Sequence, residues 1–202
     1  VKKGLFLLLW CWAAATQAVT LDDLQQRFAS QPVVRADFTQ QRQIDGMAQP
    51  LRSSGRMVIA REKGLWWRQD APFAMTLLLD DRRMVQEMAG QPAQVVTAAN
   101  NPQMFQFNHL LRALFQADRR VLEENFRLDF HDGGQGNWRL VLTPKAAPLD
   151  KLFNTITLTG ERFLNTIDLD DKQGDKTHIV LSHQRSEPAV LSDAEQRDFD
   201  VH

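Results

Sequence analysis

The sequence predicts a mainly β protein, in which an antiparallel meander curves around its own apolar side and an amphipathic helix plugs the opening. Three observations carry this expectation. Apolar residues recur at every second position through most of the chain, turn-forming residues separate the runs at short intervals, and one interior segment changes to helical spacing.

The chain opens on a segment with its own logic. Lys2 and Lys3 form a positive start, Leu5 to Ala15 an apolar run, and Thr16-Gln17-Ala18 a small-residue site. This is the pattern of a secretory signal peptide (residues 1–18) cleaved after Ala18, and the run is too short for a spanning helix. It predicts a single mature domain, residues 19–202, working in the periplasm of a Gram-negative bacterium. Trp10 before Cys11 argues against lipidation, since a lipid-accepting cysteine follows a small residue. Without Lys2 and Lys3 the mature chain has 22 basic against 25 acidic residues, a net charge of −3, and no cysteine. Nothing in it resembles the basic stripe that nucleic acid requires. Stability must come from burial rather than disulfides.

The elements follow in order. Thr20, with Asp23 three residues on, caps a short helix whose Leu21, Leu24 and Phe28 share a face. After Pro32 the period becomes two: Val34, Ala36 and Phe38 alternate with Val33, Arg35, Asp37 and Thr39. Met57 and Ile59 share a face, as do Leu65 and Trp67. Phe73, Met75, Leu77 and Leu79 follow, then Met84 and Met88. Beyond residue 120 the same habit returns in Phe126, Leu128 and Phe130, in Trp138, Leu140 and Leu142, and in Ile156 and Leu158. Phe163, Ile167 and Leu169, then Ile179 and Leu181, complete it. Asp45-Gly46, Asp80-Asp81, Gly90-Gln91-Pro92, Asp132-Gly133-Gly134, Thr159-Gly160-Glu161 and Gln173-Gly174-Asp175 supply the turns. One apolar and one polar face per strand predict a sheet wrapped around its apolar side.

Between the two sets of strands, Pro102 precedes Gln103 to Ala117. There Met104, Phe107, Leu111 and Leu114 form a stripe widened by Leu110 and Phe115, opposed by Gln106, Asn108, His109, Arg112 and Gln116. The stripe must meet the open apolar face of the sheet. Pattern alone leaves two readings, a permanent closure of the core or a lid that yields to a ligand.

No enzyme signature is present. His178 and His183 are five apart on one predicted strand, so alternation sends them to opposite faces and they do not form a metal site. Ser53-Ser54-Gly55 lacks the Gly-x-Ser-x-Gly elbow of a hydrolase. The pairs Asp22-Asp23, Asp80-Asp81 and Asp170-Asp171 fall at a helix start and in turns, as solvated carboxylates do. No cofactor is implied. Arg61 stands apart: if Met57 and Ile59 point inward and the strand continues, Arg61 points inward too and needs partners. If the strand has ended, it is in solvent.

Phe38-Thr39-Gln40, Ser53 to Arg61, Leu65-Trp66-Trp67-Arg68 and Pro72-Phe73 resemble the front half of the LolA-type outer-membrane lipoprotein carriers. Leu142-Thr143-Pro144-Lys145 and the strands after it resemble their back half. The resemblance implies an incomplete antiparallel β-barrel whose apolar cavity is covered by helices. It also implies a monomeric periplasmic carrier that takes acyl chains from an inner-membrane donor to an outer-membrane acceptor. On this reading the cavity is lined by Phe38, Met57, Ile59, Leu65, Trp67, Met75, Leu77, Leu79, Met84 and Met88. Met104, Phe107, Leu110, Leu111, Leu114 and Phe115 form the lid, and Arg61 holds the lid shut when the cavity is empty. Two departures point to a divergent branch: Glu62 replaces the family's proline after the arginine, and Asp80-Asp81-Arg82-Arg83-Met84-Val85 replaces its "DG-x-x-(L/V)-W" strand. Such a branch implies a second possible cargo, a glycolipid or polyene-lipid. A periplasmic hydrolase and a non-carrying adaptor with a filled barrel rank lower.

Overall fold

The computed structural model describes residues 17–200, except for the side chains of Gln103, Met104, Gln106, Phe107, Phe115 and Gln116. The signal-peptide expectation therefore lies almost wholly outside the described residues. Helix α1 (Leu21–Ala29) starts at a capping box, in which the Thr20 hydroxyl accepts the Asp23 amide and the Asp23 carboxylate accepts the Thr20 amide. Six strands follow: β1 (Val33–Gln43), β2 (Leu51–Ala60), β3 (Gly64–Ala71), β4 (Met75–Leu79), β5 (Arg83–Met88) and β6 (Gln94–Thr97). Helices α2 (Pro102–Gln116) and α3 (Arg119–Asn125) separate them from β7 (Phe126–Gly134), β8 (Asn137–Pro144), β9 (Phe153–Gly160), β10 (Leu164–Asp171) and β11 (Lys176–Arg185). Helix α4 (Asp193–Phe199) ends the fold.

The eleven strands of the described residues form one antiparallel sheet, in the order β6-β5-β4-β3-β2-β1-β11-β10-β9-β8-β7. The first and last strands pair in the middle, and each half of the chain builds outward to its own edge. The edge strands β6 and β7 do not pair, so the barrel is incomplete. They are consecutive in sequence, and the segment joining them is α2–α3. The topology thus sends the helices across the gap that the sheet leaves open.

The concave side carries the main core. Phe38, Met57, Leu65 and Leu79 from the front half meet Trp138, Leu140, Ile156 and Leu181 from the back half, beneath Leu110, Ala113 and Leu114 of α2. Phe38 stacks on Trp67 with ring centroids 3.8 Å apart, reaching across β2, where the residue paired with Phe38 is Gly55 and has no side chain to intervene. The expectation of one polar face per strand fails on the front half. Val33, Val58, Ala60, Trp66, Leu78 and Val85 point outward and form a second core that Phe199 of α4 covers. Here strands are apolar on both sides because a helix lies on each. The sequence reading did not anticipate α4, α3 or β6; all three are of seven residues or fewer, too short for a periodic pattern to stand out.

Arg35 pins the covering segment. It is only 6% exposed. Its guanidinium binds both carboxylate oxygens of Glu195 (2.6 and 2.8 Å) and donates to the carbonyls of Pro188 and Val190 (2.8 and 3.0 Å). Glu195 also accepts the Ser192 amide in the capping box of α4. With the Arg35 hydrogen bonds foremost, its pKa is held down at about 2.

A cavity of two compartments beneath the helical cover

Under α2 lies an inner chamber of ≈250 Å³ whose lining, among the described residues, is apolar. Leu110, Leu111 and Leu114 form its roof, and Ile156, Ile167 and Ile179 stand among the β9, β10 and β11 side chains of its floor. The chamber exists because those strands present one leucine or isoleucine at every second position and the helix above spans the gap without filling it. A second pocket of ≈210 Å³ opens beside α1. Phe28, Met57, Ile59 and Leu181 give it an apolar wall, while Gln25, Gln31, Arg61, Asp118 and Gln184 give it polar groups. Leu164, at the start of β10, lines both compartments.

Among the ten side chains expected to line the cavity, Met57 and Ile59 reach the outer pocket. Phe38, Leu65 and Leu79 lie in the packed core, with Trp67, Leu77 and Met84 against it. Met75 and Met88 face one another across β4 and β5, both half-buried. The inner chamber is built instead by back-half residues whose alternation was legible in the sequence but which were assigned no site. Nothing in the alternating pattern distinguishes a strand face that is packed from one that is left open. Of the six lid residues, Leu110, Leu111 and Leu114 roof the chamber; the side chains of Met104, Phe107 and Phe115 lie outside the described residues.

Arg61 does not lie inside. The strand ends at Ala60, and Arg61 is an exposed turn residue on the rim of the outer pocket. Its amide donates to the Pro32 carbonyl at 2.9 Å, which fixes the turn. Its guanidinium has no hydrogen bond or ion pair among the described residues. The contact between cover and sheet that the sequence reading missed comes from Asn108. Its place on the helical wheel put it on the polar side, yet it is 1% exposed. Its amide donates to the carbonyls of Asp80 (3.1 Å) and Arg83 (3.3 Å) in the β4–β5 turn. The Asp80 carboxylate in turn accepts the amides of Arg82 and Arg83, both at 2.8 Å. The Asp80-Asp81-Arg82-Arg83 segment that departs from the family pattern is therefore the one that receives the cover helix. A mid-helix asparagine beside the apolar stripe was the available signal, since a buried amide needs partners.

His178 and His183 both face outward, contrary to strict alternation. A bulge shifts the β1–β11 register between Asp37 and Arg35, and His183 adopts a positive φ of 52°. The extra residue returns it to the face of His178. Each is paired with its own aspartate: His178 Nδ1 with Asp168 at 2.6 Å, His183 Nδ1 with Asp37 at 2.9 Å.

The sequence profile of the outer membrane lipoprotein carrier protein LolA-like family matches residues 13–202. The chain belongs to that family. None of the curated proteins compared with it matches. Solved structures share the architecture at low identity. A Vibrio parahaemolyticus domain, assigned provisionally to outer-membrane lipoprotein sorting, is 12% identical with a TM-score of 0.49, over 89% of this chain and 95% of that one. A DUF1329 family protein from Desulfovibrio piger is 13% identical (TM-score 0.48, 86% and 93%). The LolA superfamily protein NE2245 from Nitrosomonas europaea is 11% identical (TM-score 0.47, 88% and 97%). This LolA-like chain keeps the unclosed sheet and helical cover while drawing its inner chamber from the back half and anchoring its cover through Asn108.

Proposed function

We propose that this protein is a periplasmic carrier that shields acyl chains in its cavity and passes them toward the outer membrane. The observation that supports this is the apolar chamber between α2 and strands β9–β11. An apolar space of this size and lining takes up hydrocarbon. Each methylene moved into it from water contributes about 0.8 kcal/mol, so cargo is held without covalent chemistry and given up when the cover moves. The cover is suited to movement, because two hydrogen bonds from Asn108 to the β4–β5 turn hold it while the roof leucines contribute only burial.

The cargo class is a lipoprotein acyl chain or a related lipid, received from an inner-membrane donor and delivered to an outer-membrane acceptor by a monomer. The test is titration of the mature protein with a fluorescent fatty acid, alongside Leu111→Asp. Leu111 is half-buried on the roof, so the charge should cost at least tenfold in probe affinity while the far-ultraviolet spectrum of the sheet is retained. Equal affinity in the variant, or loss of the fold together with binding, would assign α2 to a permanent core and favour the adaptor reading.

A further inference from the structure

The carrier reading leaves the number of chains and the head group unspecified, and the two compartments supply both. A 150 Å³ apolar cavity accommodates a six-carbon ring. By that measure the ≈250 Å³ inner chamber takes about ten carbons. Two chains side by side would need roughly twice the volume; the described lining of the chamber is one apolar set, and the side chain of Leu164 alone is shared between it and the ≈210 Å³ outer pocket. That pocket changes character along its length. Met57, Ile59 and Leu181 extend the apolar wall, and then Gln25, Gln184 and Arg61 replace it at the rim. Gln184 is already committed, donating to the Leu164 and Leu181 carbonyls. Asp118 is committed too, capping α3 through the Val121 amide. The Gln25 amide and the Arg61 guanidinium remain without a partner among the described residues, so the donors left at the rim are a neutral amide and a full positive charge.

Resting on the carrier reading, we propose that the cargo is a single-chain amphiphile with an anionic head. Its chain lies in the inner chamber past Leu164, and its carboxylate or phosphate meets Arg61 at the rim. A guanidinium on a partly enclosed rim suits either oxyanion through paired N–H donors. Arg61 is then a head-group contact and not the latch of the cover.

The experiment is competitive binding to the mature protein with a series of saturated fatty acids, lysophosphatidylglycerol, diacyl phosphatidylglycerol and a synthetic triacyl lipopeptide, with stoichiometry read by native mass spectrometry. Affinity for the fatty acids should rise about fourfold per methylene, equivalent to about 0.8 kcal/mol, and stop rising by about sixteen carbons, when both compartments are full. Lysophosphatidylglycerol should bind one to one and at least tenfold more tightly than the diacyl lipid. Arg61→Glu, at an exposed position that the fold does not depend on, should weaken dodecanoate at least tenfold and leave dodecanol within twofold. Preference for the diacyl lipid or the lipopeptide, or equal losses for dodecanoate and dodecanol, would overturn the single-chain anionic assignment and leave the carrier reading standing. Binding of none of these lipids would overturn both.

Discussion

Protonating or replacing Glu195 should loosen the front wall of the cavity from outside, because consecutive residues of β2 serve both faces. Met57 faces the outer pocket while Val58 packs into the second core beneath α4. What holds α4 there is the Arg35–Glu195 pair, with side chains 7% and 19% exposed. The Glu195 carboxyl is lowered from 4.5 to about 2, chiefly by the hydrogen bonds from Arg35. At 1.36 kcal/mol per unit, that depression amounts to about 3 kcal/mol of stability. The sign follows from the direction. A depressed carboxyl contributes fully above its unfolded pKa, and the contribution is lost as pH falls from about 4.5 through about 2. Asp198 on the same helix works the other way, since burial raises its pKa, while Asp23 and Asp175, lowered chiefly by backbone amides donating to them, add to the loss, so only the difference between parent and variant reports on Glu195. Urea unfolding at pH 7 and pH 3 of the parent and of Glu195→Gln isolates the term. The parent should lose stability on acidification, and the variant, already destabilised at pH 7, should lose correspondingly less. Parallel losses in the two proteins would refute the argument and reduce the pair to a surface contact.

Three further outcomes are expected. Asn108→Ala removes both hydrogen bonds between α2 and the β4–β5 turn and leaves the carbonyls of Asp80 and Arg83 without that donor; unfolding should show a cost of about 1–3 kcal/mol, and stopped-flow mixing with a fatty-acid probe should show faster uptake. Gly55→Ala places a Cβ on the Arg68 carbonyl of the neighbouring strand, so a loss of about 1–3 kcal/mol in denaturant unfolding should follow, with no gain from the added methyl. When the full chain is expressed in a Gram-negative host, intact-mass measurement of the periplasmic protein should give an N-terminus at Val19 and no acyl modification; a species acylated at Cys11 would contradict the reading of residues 1–18.

Local rules sufficed wherever one face of an element decided its fate. The Thr20 capping box, the inward alternation of the strands, turns such as Asp45-Gly46 and Gln173-Gly174, and the Leu110, Leu111 and Leu114 part of the helical stripe each state a requirement that neighbours along the chain satisfy, and they reappear in the fold; Asp132-Gly133-Gly134 and Thr159-Gly160 instead lie within β7 and β9. The plan of a curved antiparallel sheet under a helix was legible for that reason, whereas the incompleteness of the barrel was implied only by the family resemblance. What the sequence left open depended on partners distant along the chain. Alternation marks Phe38 and Ile167 alike as inward, and only the path of α2 makes one of them packed core and the other a chamber wall. Val58 and Trp66 read as the outer face of a strand until a helix more than a hundred residues later covers them. Arg35 sits on that same outer face and would read as solvated, yet it is buried because Glu195 and two carbonyls arrive to meet it. The pattern left Arg61 open between an inward strand position and solvent, and β2 ends at Ala60; Asn108, read on the polar side of its helix, found carbonyls within reach. Hydrophobic period selects which face an element turns inward. Whether that face is filled, left open or matched by a second buried face is settled by the three-dimensional packing of segments that the linear pattern does not connect.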